Sequence, residues 1–441
     1  MHKPSHFLIL FIAFPMFSLC FGTHHEDPLP VSQYHDQVYG FRSFRPGWST
    51  DFHGLMTTRR DRGSSRSGSP KVVNVDDFGA KGNGQDDSKA FELAWKEACS
   101  SSKAILLVPK GRTYYLKPIT FSGPCRSPLT LKINGMIKAS PRLSDYVNNR
   151  RHWLKFEGVS NFVVEGNGDG IINGNGRKWW LSSCKVNKFL PCREAPTAVT
   201  FYQCTNLVVA NLMFKNAQKM HLSFQKCINV KALNLRVVAP GNSPNTDGIH
   251  VTETQDVMIR NCVIGTGDDC ISIVSGSRNV QAMDISCGPG HGISIGSLGK
   301  GNTEAEVSNI RVNRAMISGT SNGVRIKTWQ GGSGYAKNIL FQNVVMKNVS
   351  NPIIIDQNYC DKEGECPEQV SAVKVSNVMY RNIRGTSASE DAIKFDCSKS
   401  FPCQGISLLG VHLVGQGDQV STASCENVRL KNRWKVYPQC S

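Results

Sequence analysis

The chain has 441 residues, enough for one large core or two domains. With 40% apolar and 19% charged residues, its composition excludes both a membrane-embedded and a disordered polypeptide. The formal net charge of +17 lies almost wholly beyond residue 70, so the folded part should attract a polyanion.

Residues 1–22 read as a secretory leader: Lys3 and His6 precede an apolar run over 7–14, which is too short to span a bilayer. No later segment could serve as a membrane span, so the mature chain is expected to be exported, without a membrane partner. Outside the cell, a basic surface favours an acidic polysaccharide over nucleic acid. Residues 23–70 are rich in Ser, Gly, Arg and His and lack any strand or helix period, which predicts a flexible linker or pro-segment. The folded domain is expected over 71–441, beginning at Val72. One helix follows: Ser88 can cap it, and Ala90, Phe91, Ala94, Trp95 and Ala98 form a helical stripe that would cover the open end of the next element. The acidic pair Asp86-Asp87 just before it reads as helix capping.

From there the chain repeats. An Asn followed by an apolar residue opens a short strand at Asn161, Asn206, Asn229, Asn279, Asn309, Asn338 and Asn377, with Asp256 and Gly405 in the same slot of two further copies. Most intervals run from 23 to 30 residues; the first, of 45, should hold two turns, and the one before Asn377 carries an insertion. A period in the twenties with short strands and almost no helix predicts a β-solenoid, because a propeller blade needs about 40 residues. The recurring Asn side chains should bond to one another from coil to coil.

Sixteen cysteines fit an oxidising compartment. Cys20 leaves with the leader, so fifteen remain and at least one thiol stays free unless a bridge forms between molecules. The spacings Cys184/Cys192, Cys270/Cys287, Cys360/Cys366, Cys397/Cys403 and Cys425/Cys440 suit local disulfides, and no Cys-x-x-Cys pair points to zinc.

Five repeats align on one strand: Asp247-Gly248-Ile249-His250-Val251, Asp269-Cys270-Ile271-Ser272-Ile273, His291-Gly292-Ile293-Ser294-Ile295, Asn322-Gly323-Val324-Arg325-Ile326 and Asn351-Pro352-Ile353-Ile354-Ile355. Ile249, Ile271, Ile293, Val324 and Ile353 then share an inward column. Asp247, Asp269, His291 and Asn322 share the position two residues earlier. His250, Ser272, Ser294 and Arg325 form the next outward column, with Lys327 beyond. At about 4.8 Å per strand, Asp247 and Asp269 lie one spacing apart and His291 one further on. Asp268, next to Asp269, should point another way, yet the groups still gather on one face. Carboxylates so close cannot all ionise freely, and one should bind its proton more tightly. A protonated and an ionised carboxyl side by side is what glycoside hydrolysis requires, and Arg325 and Lys327 add positive charge for an anionic sugar. A single Asp in a turn is usually only a turn residue. Isolated His221 and His412 read as structural.

At Asn245-Thr246-Asp247, Gly267-Asp268-Asp269-Cys270, Gly290-His291-Gly292 and Arg325-Ile326-Lys327, the sequence resembles the polygalacturonases of glycoside hydrolase family 28, above all the plant members, over about residues 72–441. The resemblance implies an all-β fold, a single-stranded right-handed parallel β-helix of the pectin lyase-like kind with a short N-terminal capping helix. It implies hydrolysis of α-1,4-galacturonosyl linkages with inversion, endo-acting, by a monomer secreted to the cell wall without metal or cofactor. It further implies that Asp268 is the general acid, that Asp247 and Asp269 activate water, and that His291 tunes the acid. Arg325, Lys327 and Asn245 would then bind substrate, with Tyr359 either touching sugar or packing beside the Cys360 bridge. Exo action, a rhamnogalacturonan hydrolase, a calcium-dependent pectate lyase and a catalytically silent wall-binding protein are the competing readings.

Overall fold

The computed structural model describes residues 69–126, 128–361 and 366–440. The leader and almost all of the expected linker lie outside these residues. Short apolar segments separated by turns, each too short to fold alone, can bury their inward residues only against copies of themselves. They do so as a parallel β-solenoid. Eleven strands form the sheet that carries the site: β1 (Ile119–Ser122), β2 (His152–Glu157), β3 (Thr197–Tyr202), β4 (Leu222–Gln225), β5 (Ile249–Thr252), β6 (Ile271–Ile273), β7 (Ile293–Leu298), β8 (Asn322–Trp329), β9 (Asn351–Tyr359), β10 (Asp391–Asp396) and β11 (Thr422–Glu426). They pair in chain order, each parallel to the next. The remaining walls form a 19-stranded sheet built of two parallel ladders, which merge at the long strand Gln255–Gly265. Among the described residues no helix is long and apolar enough to cross a membrane.

The register is the one expected. Ile249 pairs with Ile271, Ile271 with Ile293, Ile293 with Val324 and Val324 with Ile353, and all five are fully buried. At the N-terminal end the same sheet stacks aromatics inside: Phe121, Phe156, Phe201 and Phe224 lie at successive centroid separations of 5.1, 5.1 and 5.7 Å.

The Asn ladder forms as expected. Asn206 donates to Asn161 at 2.9 Å, Asn229 to Asn206 at 2.8 Å, Asn279 to Asp256 at 2.9 Å and Asn309 to Asn279 at 3.0 Å. These residues occupy the left-handed region, Asn279 at φ 57° and Asp256 at φ 57°, which Asn and Asp tolerate best after Gly. Gly405, in the same slot, has φ 67°. A second ladder that the sequence reading missed runs at another corner, where Asn234 donates to Asn211 at 2.9 Å and Asn261 to Asn234 at 2.8 Å.

Three expectations need correction. The 45-residue interval is one coil, not two: Asn206 bonds directly to Asn161, and strand Thr205–Ala210 pairs with Ser160–Glu165. The surplus residues form a short helix, Arg177–Leu181, and a loop closed by Cys184–Cys192. The predicted helix is present as α1 (Ser88–Ser100), its five stripe residues buried, but Ser88 is not its cap. Asp87 holds that position and its side chain makes no capping bond; it accepts instead from the Lys81 and Tyr115 amides. Asp86 accepts from the Ser88 amide. Thirdly, Asp268 does not point away from Asp269, as the site geometry shows. All five expected disulfides form, with Cys99–Cys125 as a sixth, and Cys204, Cys227 and Cys262 remain buried thiols among the described residues.

Candidate active site

Three successive coils enter the site sheet through tight turns that leave their last residues at one rim. Asp247 precedes β5, Asp268 and Asp269 precede β6, and His291 precedes β7. Glycine makes this crowding feasible. Gly292 has φ 82°, and a Cβ there would meet the Asn322 carbonyl oxygen at 2.1 Å, while one on Gly290 would meet the Asp268 carbonyl oxygen at 2.5 Å. The His291 amide donates to that same Asp268 carbonyl at 2.9 Å, which ties two motifs distant in sequence into one turn.

Residues 266–269 lie outside any strand, so the pleat does not set Asp268 and Asp269 on opposite faces. An oxygen of each and a ring nitrogen of His291 all lie within 4.8 Å of one another. A cation would need Asp269, but its oxygens are already taken by positive side chains: Arg325 Nη2 donates to Oδ1 at 2.7 Å and Lys327 Nζ to Oδ2 at 2.9 Å. Ser294 Oγ donates to Oδ1 at 2.8 Å and is itself 3.0 Å from Arg325 Nε. Asp269 is only 1% exposed, and Lys327 is buried with it. A buried ion pair of this kind persists only because every charge has a partner.

Asp268 Oδ1 lies 3.0 Å from His291 Nδ1 and accepts the Asp269 amide at 2.8 Å; Oδ2 accepts from Asn245 Nδ2 at 3.3 Å. Burial works to raise the affinity of Asp268 for its proton, but the His291 hydrogen bond and charge, with Lys327 behind them, outweigh it and hold the carboxyl at about 2. Asp247 goes the other way. Its burial, then the charges of Asp268 and Asp269, push it well above the usual carboxylate range, against the Ser272 hydroxyl and Lys327. Of the two carboxyls, Asp247 therefore binds a proton the more tightly.

Two histidines support Asp247. His221 is fully buried; its Nδ1 donates to the Asp247 carbonyl at 3.0 Å and its Nε2 accepts from the Ala217 amide at 3.3 Å. Acceptance at Nε2 requires the neutral ring with its proton on Nδ1, and burial lowers its pKa to about 4. The sequence reading took His221 as structural; its link to the site arises from a loop contact that no spacing reveals. His250 sits on β5 with Nδ1 2.7 Å from Ser272 Oγ. Tyr359 packs edge-on against Trp329 at 5.3 Å, its ring 5.4 Å from Lys327 Nζ, so it borders the cluster besides adjoining Cys360. The structure thus gathers Asp247, Asp268, Asp269, His291, Asn245, Arg325, Lys327 and Tyr359 at one place.

Comparison with known proteins agrees with this geometry. The model of glycosyl hydrolases family 28 matches residues 99–435. The polygalacturonase QRT2 of Arabidopsis thaliana is 61% identical over 376 residues, covering 85% of each chain. A polygalacturonase of Malus domestica is 52% identical over 459 aligned positions, covering 98% of each. In fold, the chain resembles the polygalacturonase of Erwinia carotovora ssp. carotovora, with a TM-score of 0.66 at 23% identity over 84% of this chain and 99% of that one. The chain belongs to family 28 of the glycosyl hydrolases and groups with the plant polygalacturonases.

Proposed function

We propose that the protein hydrolyses α-1,4 bonds between galacturonic acid units of de-esterified pectin in the cell wall, with inversion and in the interior of the chain. The observation that carries this reading is the trio of carboxylates at one rim with three different partners: His291 on Asp268, two cations on Asp269, a hydroxyl on Asp247. Such asymmetry supplies one carboxyl to protonate the leaving oxygen and others to activate water. Asp268 is the general acid in this reading, and the proton it delivers must shift from Asp247 once substrate occupies the site. Arg325 and Lys327, already holding Asp269, also face the substrate carboxylate, with Asn245 and Tyr359 beside the sugar. The six disulfides support export to an oxidising compartment.

Chromatography of products from polygalacturonate over time tests the endo assignment: mixed oligomers are expected early, and monomer from the outset would show exo action. Proton NMR of the first-formed anomer tests inversion. A product that absorbs in the ultraviolet, or loss of rate with a chelator, would point to a lyase instead.

A further inference from the structure

Building on that reading, the two carboxylates expected to activate water are held too differently to share one role. Asp269 has both oxygens engaged by fixed cations. Asp247 has no Lys or Arg within 4.0 Å among the described residues; the nearest ionisable nitrogen is His250 Nδ1 at 4.0 Å from Oδ2. That oxygen accepts from Ser272 Oγ at 2.8 Å, and Ser272 Oγ is 2.7 Å from His250 Nδ1. A hydroxyl has a single proton to give. Spent on Asp247, it leaves the Ser272 oxygen to accept from His250 Nδ1–H, so the chain His250 to Ser272 to Asp247 runs one way. Asp269 also lies badly for a water-mediated inverting pair with Asp268, since their oxygens approach within 4.8 Å while such pairs stand about 6.5–9.5 Å apart.

We propose that Asp247 alone takes the proton of the attacking water, and that Ser272 and His250 are positioning residues that orient its carboxylate for that transfer. As the water oxygen bonds to the anomeric carbon, its O–H bond breaks and the proton passes to Asp247 Oδ1. The bond from that carbon to the leaving oxygen breaks, its electron pair stays on the oxygen, and the proton of Asp268 completes the new hydroxyl. Asp268 ends ionised and Asp247 protonated, the distribution that the free site favours. A proton returns to Asp268 before the next turnover. Asp269 remains an anion throughout and holds Arg325 and Lys327 in place.

The groups that face Asp247 define the test. They are Asp268 and Asp269 from the next coil, Lys327 from β8, His250 on β5, and His221 from the preceding coil, with Lys219 facing His250. Profiles of kcat/KM against pH on polygalacturonate would compare wild type, Ser272→Ala, His250→Leu and Ser294→Ala, each with a thermal melt. Ser272→Ala and His250→Leu should lower kcat about tenfold with little change in KM. They should also move the alkaline limb to higher pH: Asp247 is the last of the site carboxyls to ionise in the free enzyme, and the hydroxyl that lowers its proton affinity is lost or misaligned. Ser294→Ala should slow the enzyme without moving that limb, since two cations still fix Asp269. Ser272→Thr and His250→Asn keep a donor in place and should restore the limb. An unmoved limb in a folded Ser272→Ala protein, or an equal shift in Ser294→Ala, would overturn the inference while leaving the hydrolase reading intact. A wild type that releases no reducing ends would sink both.

Discussion

Asp268 and Asp269 are adjacent in sequence, share one turn and hold charge for different reasons. His291 fixes the ionisation of Asp268, so His291→Ala should let its pKa rise. The acid limb of kcat/KM, set in the free enzyme by Asp268 as the first of the pair to ionise, should then move to higher pH, even as kcat falls; an unmoved limb would make His291 a purely geometric residue. Asp268→Asn removes the proton donor but keeps shape and hydrogen bonding. Its reducing-sugar release should drop about 10²- to 10⁴-fold, while retention on immobilised polygalacturonate persists. Loss of binding together with activity would instead place Asp268 in substrate recognition.

At the scale of the element, the corners and the interior stack make separable contributions. Asn279 bonds to Asp256 on one side and Asn309 on the other, at a left-handed φ of 57°. Asn279→Ala loses both bonds and strains the backbone, for about 2–3 kcal/mol. Asn279→Gly relieves only the strain, so denaturant melts should order wild type, Gly, then Ala. Phe201 stands between Phe156 and Phe224 in the interior stack and is fully buried. Phe201→Ala should cost about 3–5 kcal/mol through lost burial and the cavity left behind, measurable in the same melts.

For the whole molecule, pH and salt act through buried rings and net charge. His221 is fully buried and His250 mostly so, and desolvation lowers the pKa of each to about 4. An unfolded histidine binds its proton near pH 6.5. The unfolded chain therefore gains protons first as pH falls, and stability from these rings, complete above about 6.5, should be lost progressively down to about 4. His221→Gln should flatten the acid side of the melting curve if the ring is responsible. The charge of +17 should make KM for polygalacturonate rise with ionic strength, whereas a short uncharged oligosaccharide should show no such slope.

How much of this was legible in the sequence depends on the range of the interaction. A repeat in the twenties, the alternation of apolar residues and the Asn slots are local patterns, and stacking copies of one coil carries them into three dimensions without further information. The register of Ile249, Ile271, Ile293, Val324 and Ile353 followed from alignment alone, and with it the gathering of Asp247, Asp269, His291 and Arg325. Short cysteine spacings gave five bridges for the same reason, whereas Cys99–Cys125 joins a helix to a coil and has no periodic cue. The 45-residue coil was misread because an inserted helix and loop mimic the length of a second turn. Tertiary structure alone decided which way side chains in the turns face. There the pleat no longer dictates direction, so the meeting of Asp268 with Asp269 and the hold of Arg325 and Lys327 on Asp269 arise from contacts between coils rather than from spacing along the chain, whereas the contact of His250 with Ser272 follows from their shared outward column.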